Sequence, residues 1–156
     1  MMCLSCNWRA DSRSLARVII PGEPLAARMA KEIGRCKDVV ELGAGTGPVT
    51  EEILRRLPED GHLTCIEINA DFCRYLEQID DSRLHVVNDD ARNCRRHVEQ
   101  ADCVVSELPL ALFGRREKER ILHLASRCET YVQLQYMPVL GRSMKRHFPR
   151  VERTFV

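Results

Sequence analysis

The stretch Val39-Val40-Glu41-Leu42-Gly43-Ala44-Gly45-Thr46-Gly47-Pro48 constrains this chain more than any other. An apolar run able to form a buried strand breaks into three glycines at alternate positions. It then passes into Val49-Thr50-Glu51-Glu52-Ile53-Leu54, whose apolar spacing suits a helix. Strand, glycine turn and helix in that order let an α/β sheet present a nucleotide-like ligand at its carboxyl edge. Glycines permit the sharp turn and clear side chains from the main chain that a ligand touches. Pro48 stands where a helix begins, a position at which its missing N–H costs nothing.

The glycine spacing separates the readings. A dinucleotide fingerprint, G-x-G-x-x-G, would need its third glycine where Pro48 stands. An ordinary strand-to-helix turn without a ligand is the other alternative. The chain instead reads E-x-G-x-G-x-G, which resembles motif I of the class I S-adenosylmethionine-dependent methyltransferases.

A length of 156 residues fits one domain with a proper core, and 44% apolar with 30% charged residues fits a globular chain. The net charge of +1 gives no global field for nucleic acid or membrane. Eight cysteines raise the question of disulfides. The opening residues lack a long apolar h-region, and no run is long enough to span a bilayer. Cys65, Cys73 and Cys103 fall within apolar patterns, where a free thiol acts as a small hydrophobe. A reduced, cytoplasmic protein is therefore expected. Cys3-x-x-Cys6 is half a zinc pattern, but no second pair completes it, so no metal is expected.

Taken in order, residues 1–13 read as a poorly ordered lead and residues 14–156 as one domain. Ser14 to Ile20 is apolar and ends at the break Pro21-Gly22-Glu23-Pro24. Pro24 opens a helix that Gly34 closes, and Val39 to Leu42 is the first strand. A helix over Thr50–Leu57 leads to a second strand over His62–Ile68. The helix after Asn69 then precedes a third strand over Leu84–Val87. Arg92–Val98 reads as helical, Asp102–Ser106 as the fourth strand, Arg116–Ser126 as a helix and Tyr131–Tyr136 as the fifth strand. Arg150–Val156 is a sixth. This alternation predicts an α/β domain with a mostly parallel sheet and helices on both faces.

Glu67 ends the second strand about twenty residues past the turn, where an acid accepts hydrogen bonds from ribose hydroxyls. The alternative is a solvated strand-end acid. Asp90, with Asp89 beside it, follows the third strand; the resemblance implies an acid there that accepts from the adenine amino group. A helix cap is the equal alternative. Glu41 corresponds to the acid that opens motif I and orders the positively charged methionine end of the cofactor. Burying it without such a partner is expensive.

Ser106-Glu107-Leu108-Pro109-Leu110 follows the fourth strand, where the resemblance places the methyl acceptor. Ribosomal RNA adenine dimethylases have an Asn-Leu-Pro-Tyr-like sequence here. The Asn is replaced by Ser106 and the stacking aromatic by Leu110, which argues against a nucleic-acid base as acceptor. The segment is more similar to the Ser-Gly-Leu-Pro stretch of soluble bacterial phospholipid N-methyltransferases. The entry Val18-Ile19-Ile20-Pro21, the strand Tyr131–Tyr136 and the tail from Phe148 to Arg153 resemble that family too.

The resemblance carries cofactor contacts onto Glu41, Gly43, Ala44, Gly45, Gly47, Glu67, Ile68, Asp89, Asp90, Ala91 and Ser106. Ser106, Glu107, Pro109 and Tyr136 shape the acceptor site. Relatives continue into a last strand, so the sheet is expected to lack it and to expose an edge suited to homodimer pairing. The late cations Arg142, Lys145, Arg146, His147, Arg150 and Arg153 offer peripheral contact with an anionic leaflet or read as a solvated surface. The expected function is methylation of an amine such as a phospholipid ethanolamine. The alternatives are a small soluble or protein acceptor, or a non-catalytic module that binds S-adenosylmethionine.

Overall fold

The computed structural model describes residues 15–20, 25–134 and 141–155. The lead with Cys3 and Cys6, and Tyr136, lie outside the described residues. The strands are β1 (Leu15–Ile20), β2 (Asp38–Leu42), β3 (His62–Glu67), β4 (Leu84–Asn88), β5 (Cys103–Ser106), β6 (Thr130–Leu134) and β7 (Arg150–Phe155). The helices are α1 (Leu25–Lys31), α2 (Pro48–Leu54), α3 (Ala70–Leu76), α4 (Arg115–Ala125) and α5 (Gly141–His147). The stretch expected to be helical after β4 is a 3-10 turn, Ala91–Arg96, with Asp90 as its cap.

The sheet order is β4-β3-β2-β5-β6-β1-β7, and every described pairing is parallel. The chain builds outward from β2 to β4, then returns across the start to lay β5 on the other side of β2. Strand order therefore reverses between β2 and β5, and the crevice beyond their carboxyl ends is where an open α/β sheet takes its ligand.

Two assignments go beyond the sequence reading. The apolar stretch before Pro21 is β1, and it pairs with both β6 and β7. Among the described residues the sheet thus counts seven strands, with β1 between the fifth and sixth expected from sequence, and its edges are β4 and β7. Helix α5, where only a basic run was noted, buries Met144 and keeps Lys145 and Arg146 exposed.

The two faces of the sheet carry separate cores. One gathers Met29, Ile53 and Leu76 from α1, α2 and α3, with Ile33 just past α1, against Val39, Leu63 and Val105. The other packs Ile121, Leu122 and Ala125 of α4 with Met144, Phe148 and Tyr131. Tyr131 and Phe148 stack with ring centroids 5.2 Å apart, an offset-stacking distance for aromatic pairs. The free cysteines Cys36, Cys65, Cys73, Cys94, Cys103 and Cys128 are all buried. No described helix is long and apolar enough to cross a membrane.

Candidate functional site

The glycine loop closes β2 by donating Gly43 N–H to the Ile66 carbonyl at 2.9 Å, one step past the regular ladder. Gly43, Gly45 and Gly47 have φ of 76°, 57° and 94°, the left-handed region that side chains resist. Space sets the same requirement at two of them. A Cβ on Gly43 would lie 2.8 Å from Leu108 Cδ2, and one on Gly47 would lie 2.9 Å from Leu76 Cδ2. Ala44 is buried, and Gly47 caps α2 ahead of Pro48.

Glu67 ends β3 with its carboxylate folded over the loop. Gly45 N–H donates to Oε2 at 3.0 Å and Asn69 N–H to Oε1 at 2.8 Å. Asn88, at the end of β4, donates Nδ2 to the carbonyls of Glu67 at 2.9 Å and Ile68 at 3.1 Å, fixing the strand end that carries the acid. Asn69 caps α3 by accepting from Asp71 N–H.

Glu41 sits one residue before the end of β2 and is fully buried. Its Oε2 accepts from the Thr50 hydroxyl at 2.7 Å and the Cys65 thiol at 3.1 Å. Its Oε1 is buried without a hydrogen bond among the described residues, and so is Oε1 of Glu107. Glu107 N–H extends the β2–β5 ladder to the Leu42 carbonyl at 3.1 Å, which brings the second acid beside the first. Burial raises the pKa of both. Glu107 is pushed up to about 8, by burial first and by the neighbouring Glu41 charge second. Two acids with bare buried oxygens suit a cationic ligand with N–H donors, which would draw both to their charged forms.

Behind this pair, Ser106 is fully buried, with Leu108 N–H reaching its Oγ at 3.4 Å. Buried Gln133 accepts from the Tyr131 hydroxyl and donates Nε2 to the Leu108 carbonyl at 3.0 Å. The segment Glu107-Leu108-Pro109 is thus tied to β6, and Pro109 is exposed.

Gly43, Glu67, Ile68, Asp90, Ala91, Leu108 and Phe113 line one cleft of about 130 Å³. Ile68 is 66% exposed there, an apolar side chain left open to a ligand. Of the two neighbouring acids, Asp90 lines this cleft. It accepts from Arg92 N–H and Nε, both at 2.8 Å, so the cap and a cleft position coincide in one residue. Asp89 turns away to His97 Nε2 at 2.6 Å and Asn93 Nδ2 at 2.9 Å. His97, the first cause, and Asn93 hold its carboxyl down at about 2.

Thr50, Cys65, Asn88, Phe113, Tyr131 and Gln133 did not emerge from the sequence as site residues. The polar Gln133 inside an apolar strand was the available signal.

Residues 39–129 match the profile of a methyltransferase domain family. The chain is similar to the ornithine lipid N-methyltransferase of Singulisphaera acidiphila, 36% identical over 130 residues, covering 76% of this chain and 67% of that protein. Among solved structures, the plantazolicin methyltransferase BpumL, in complex with a pentazolic desmethylPZN analog and SAH, aligns with TM-score 0.54 at 18% identity. That alignment covers 66% of this chain and 44% of that one. A Pyrococcus horikoshii protein described as a candidate RNA methyltransferase aligns with TM-score 0.57 at 16% identity, over 78% of this chain and 64% of that one. The chain spans less than two thirds of both solved proteins, and they speak to the fold alone.

Proposed function

Because this chain belongs to the methyltransferase-domain family, that of the class I S-adenosylmethionine-dependent enzymes, we propose that it methylates an amine nitrogen, with a lipid head-group amine such as ethanolamine as acceptor. The observation that carries the reading is the neighbouring pair of acids, fully buried Glu41 and half-buried Glu107, each with one buried oxygen that has no hydrogen bond among the described residues. The similarity to a lipid N-methyltransferase supports the acceptor class.

S-adenosylmethionine supplies a methyl group already activated on a sulfonium, so the protein's task is placement. Glu41, held in place by Thr50 and Cys65, would hold the positive methionine end. Glu67 keeps lone pairs beyond its two backbone bonds for ribose hydroxyls, and Asp90 offers an acceptor to the adenine amino group. Ile68, Ala91, Leu108 and Phe113 give the base apolar walls. An acceptor amine must arrive neutral to attack. Glu107, protonated near neutral pH without a ligand, would be drawn to its charged form by the cation and could then accept a proton from that amine. Ser106, Tyr131 and Gln133 are positioning residues that hold the main chain of the acceptor loop.

Calorimetry with S-adenosylmethionine and its demethylated product tests the cofactor reading; no heat from either ends it. Methyl transfer to ethanolamine-lipid vesicles, run beside soluble amines and peptides, tests the acceptor. Turnover on soluble amines alone would replace the lipid with a small molecule.

A further inference from the structure

A larger hollow, of about 550 Å³, lies between the 3-10 turn Ala91–Arg96 and helix α4, outside the cofactor cleft. Five arginines line it, Arg92, Arg95, Arg96, Arg116 and Arg120, against one glutamate, Glu119. Arg92 is committed to Asp90 and Glu117, and Glu119 to Arg115. Among the described residues, no hydrogen bond or ion pair engages the side chains of Arg95, Arg96, Arg116 or Arg120. All four are exposed. Packed helix surfaces ordinarily intersperse the two signs, and like charges at close range repel. Here α4 and the 3-10 turn bring unneutralised guanidinium groups to one concavity. His123, also on its wall, feels that field: burial first, then the charges of Arg95, Arg127 and His147, lower its pKa.

We propose that this hollow binds a compact phosphate-bearing anion, which the four unpaired arginines grip through forked N–H donors. Guanidinium groups match phosphate oxygens two at a time, which a field of lysines would not do. A volume of about 550 Å³ suits a ligand the size of a head group or small phosphate ester. The chemistry does not favour a nucleic-acid strand: no Phe, Tyr or Trp among the described residues lines the hollow for stacking, and the net charge of +1 supplies no long-range pull on a polyanion. The site stands apart from the methyl-transfer reading, since none of the four arginines touches the cofactor cleft.

Two probes separate the sources of the phosphate. Calorimetry with inorganic pyrophosphate reports a soluble ligand, and flotation with phosphatidylglycerol-containing vesicles, against pure phosphatidylcholine, reports a head group. At least one probe is expected to bind, with affinity falling as salt rises. The double variant R116Q/R120Q should weaken that binding about tenfold or more, as loss of charged hydrogen bonds does. Affinity for S-adenosylmethionine should stay within about twofold in the same variant, which also certifies its folding. The control K31Q/R35Q, two exposed cations at and just past the end of α1, should change nothing. The proposal is overturned if neither probe binds, if R116Q/R120Q binds as the parent does, or if an oligonucleotide binds where both probes fail.

Discussion

Two strand ends flank the glycine loop, and they treat the same residue type in opposite ways. Glu67, at the end of β3, has each oxygen met by a backbone N–H, from Gly45 and Asn69. Glu41, on β2, has one oxygen met by two side chains and the other bare, with half-buried Glu107 beside it. The first carboxylate is already part of the fold's own hydrogen bonding. The second is left unfinished by the fold, at a cost in stability that a cationic ligand would remove. On the proposed reading, Glu67 would carry both structural and binding duties, and Glu41 a duty toward the ligand.

Substitution at the unfinished end should have the largest effect on binding. E41Q keeps the shape and the contacts with Thr50 and Cys65 but removes the charge. S-adenosylmethionine affinity is expected to fall by about 100-fold or more, the scale of a broken buried charge pair. The Tm of the ligand-free protein should hold or rise. A large Tm loss in E41Q with binding intact would reverse the comparison. G43A comes next: the added methyl meets Leu108 at a backbone φ of 76°. It should cost roughly 1–3 kcal/mol in denaturant titration and weaken cofactor binding too.

E67Q should weaken cofactor binding by roughly tenfold and lower the Tm, since one backbone donor loses a charged acceptor. The smallest binding effect belongs to Q133L, which frees the Leu108 carbonyl on one wall of the cofactor cleft but removes no side chain that lines it. Turnover should drop roughly tenfold through misplacement of the acceptor, with the cofactor Kd rising by less than in E67Q.

A pH series separates the two strand ends without mutation. The pKa of Glu107 is raised in the folded protein, from the ordinary 4.5 to about 8. The folded state therefore binds more protons than the unfolded one between those values, and ligand-free stability should fall as pH rises through that window. E107Q should flatten the fall. In the parent, cofactor binding near pH 7 should release protons, seen as a calorimetric heat that changes with the buffer's ionisation enthalpy. A buffer-independent heat would show that the acids were charged beforehand.

What the residues disclosed in advance was what lies close along the chain. The glycine turn, Glu41 before it and Glu67 one strand later all belong to a single strand-turn-helix-strand unit with strong local rules. What stayed hidden depends on the register between strands. Cys65 reaches Glu41 because those positions pair across β2 and β3, and Gln133 reaches the acceptor loop because it pairs with Ser106 across β5 and β6. Neither relation has a spacing rule. β1 was missed because five apolar residues around Arg17 do not say whether they form a strand or a buried helix turn. Its partners lie more than a hundred residues downstream. The sequence favoured Asp90 over its neighbour Asp89, and the structure gives them different partners, Arg92 for Asp90 and His97 for Asp89.

The placement of β1 has a kinetic consequence. Every hydrogen bond that it makes to another strand goes to β6 or β7, so it gains nothing from the strands that follow it directly. During synthesis it must wait, while β2 to β5 and their helices can assemble around local contacts. Its docking acts as a clasp that joins the two ends of the described chain in one late event. The entropic cost of closing that loop grows only with the logarithm of its length. Hydrogen exchange should therefore find the amides of β1 and β7 opening together, as one cooperative unit distinct from the β2–β3–β4 half. A clasp of this kind is also the part of a fold most readily exchanged between two copies.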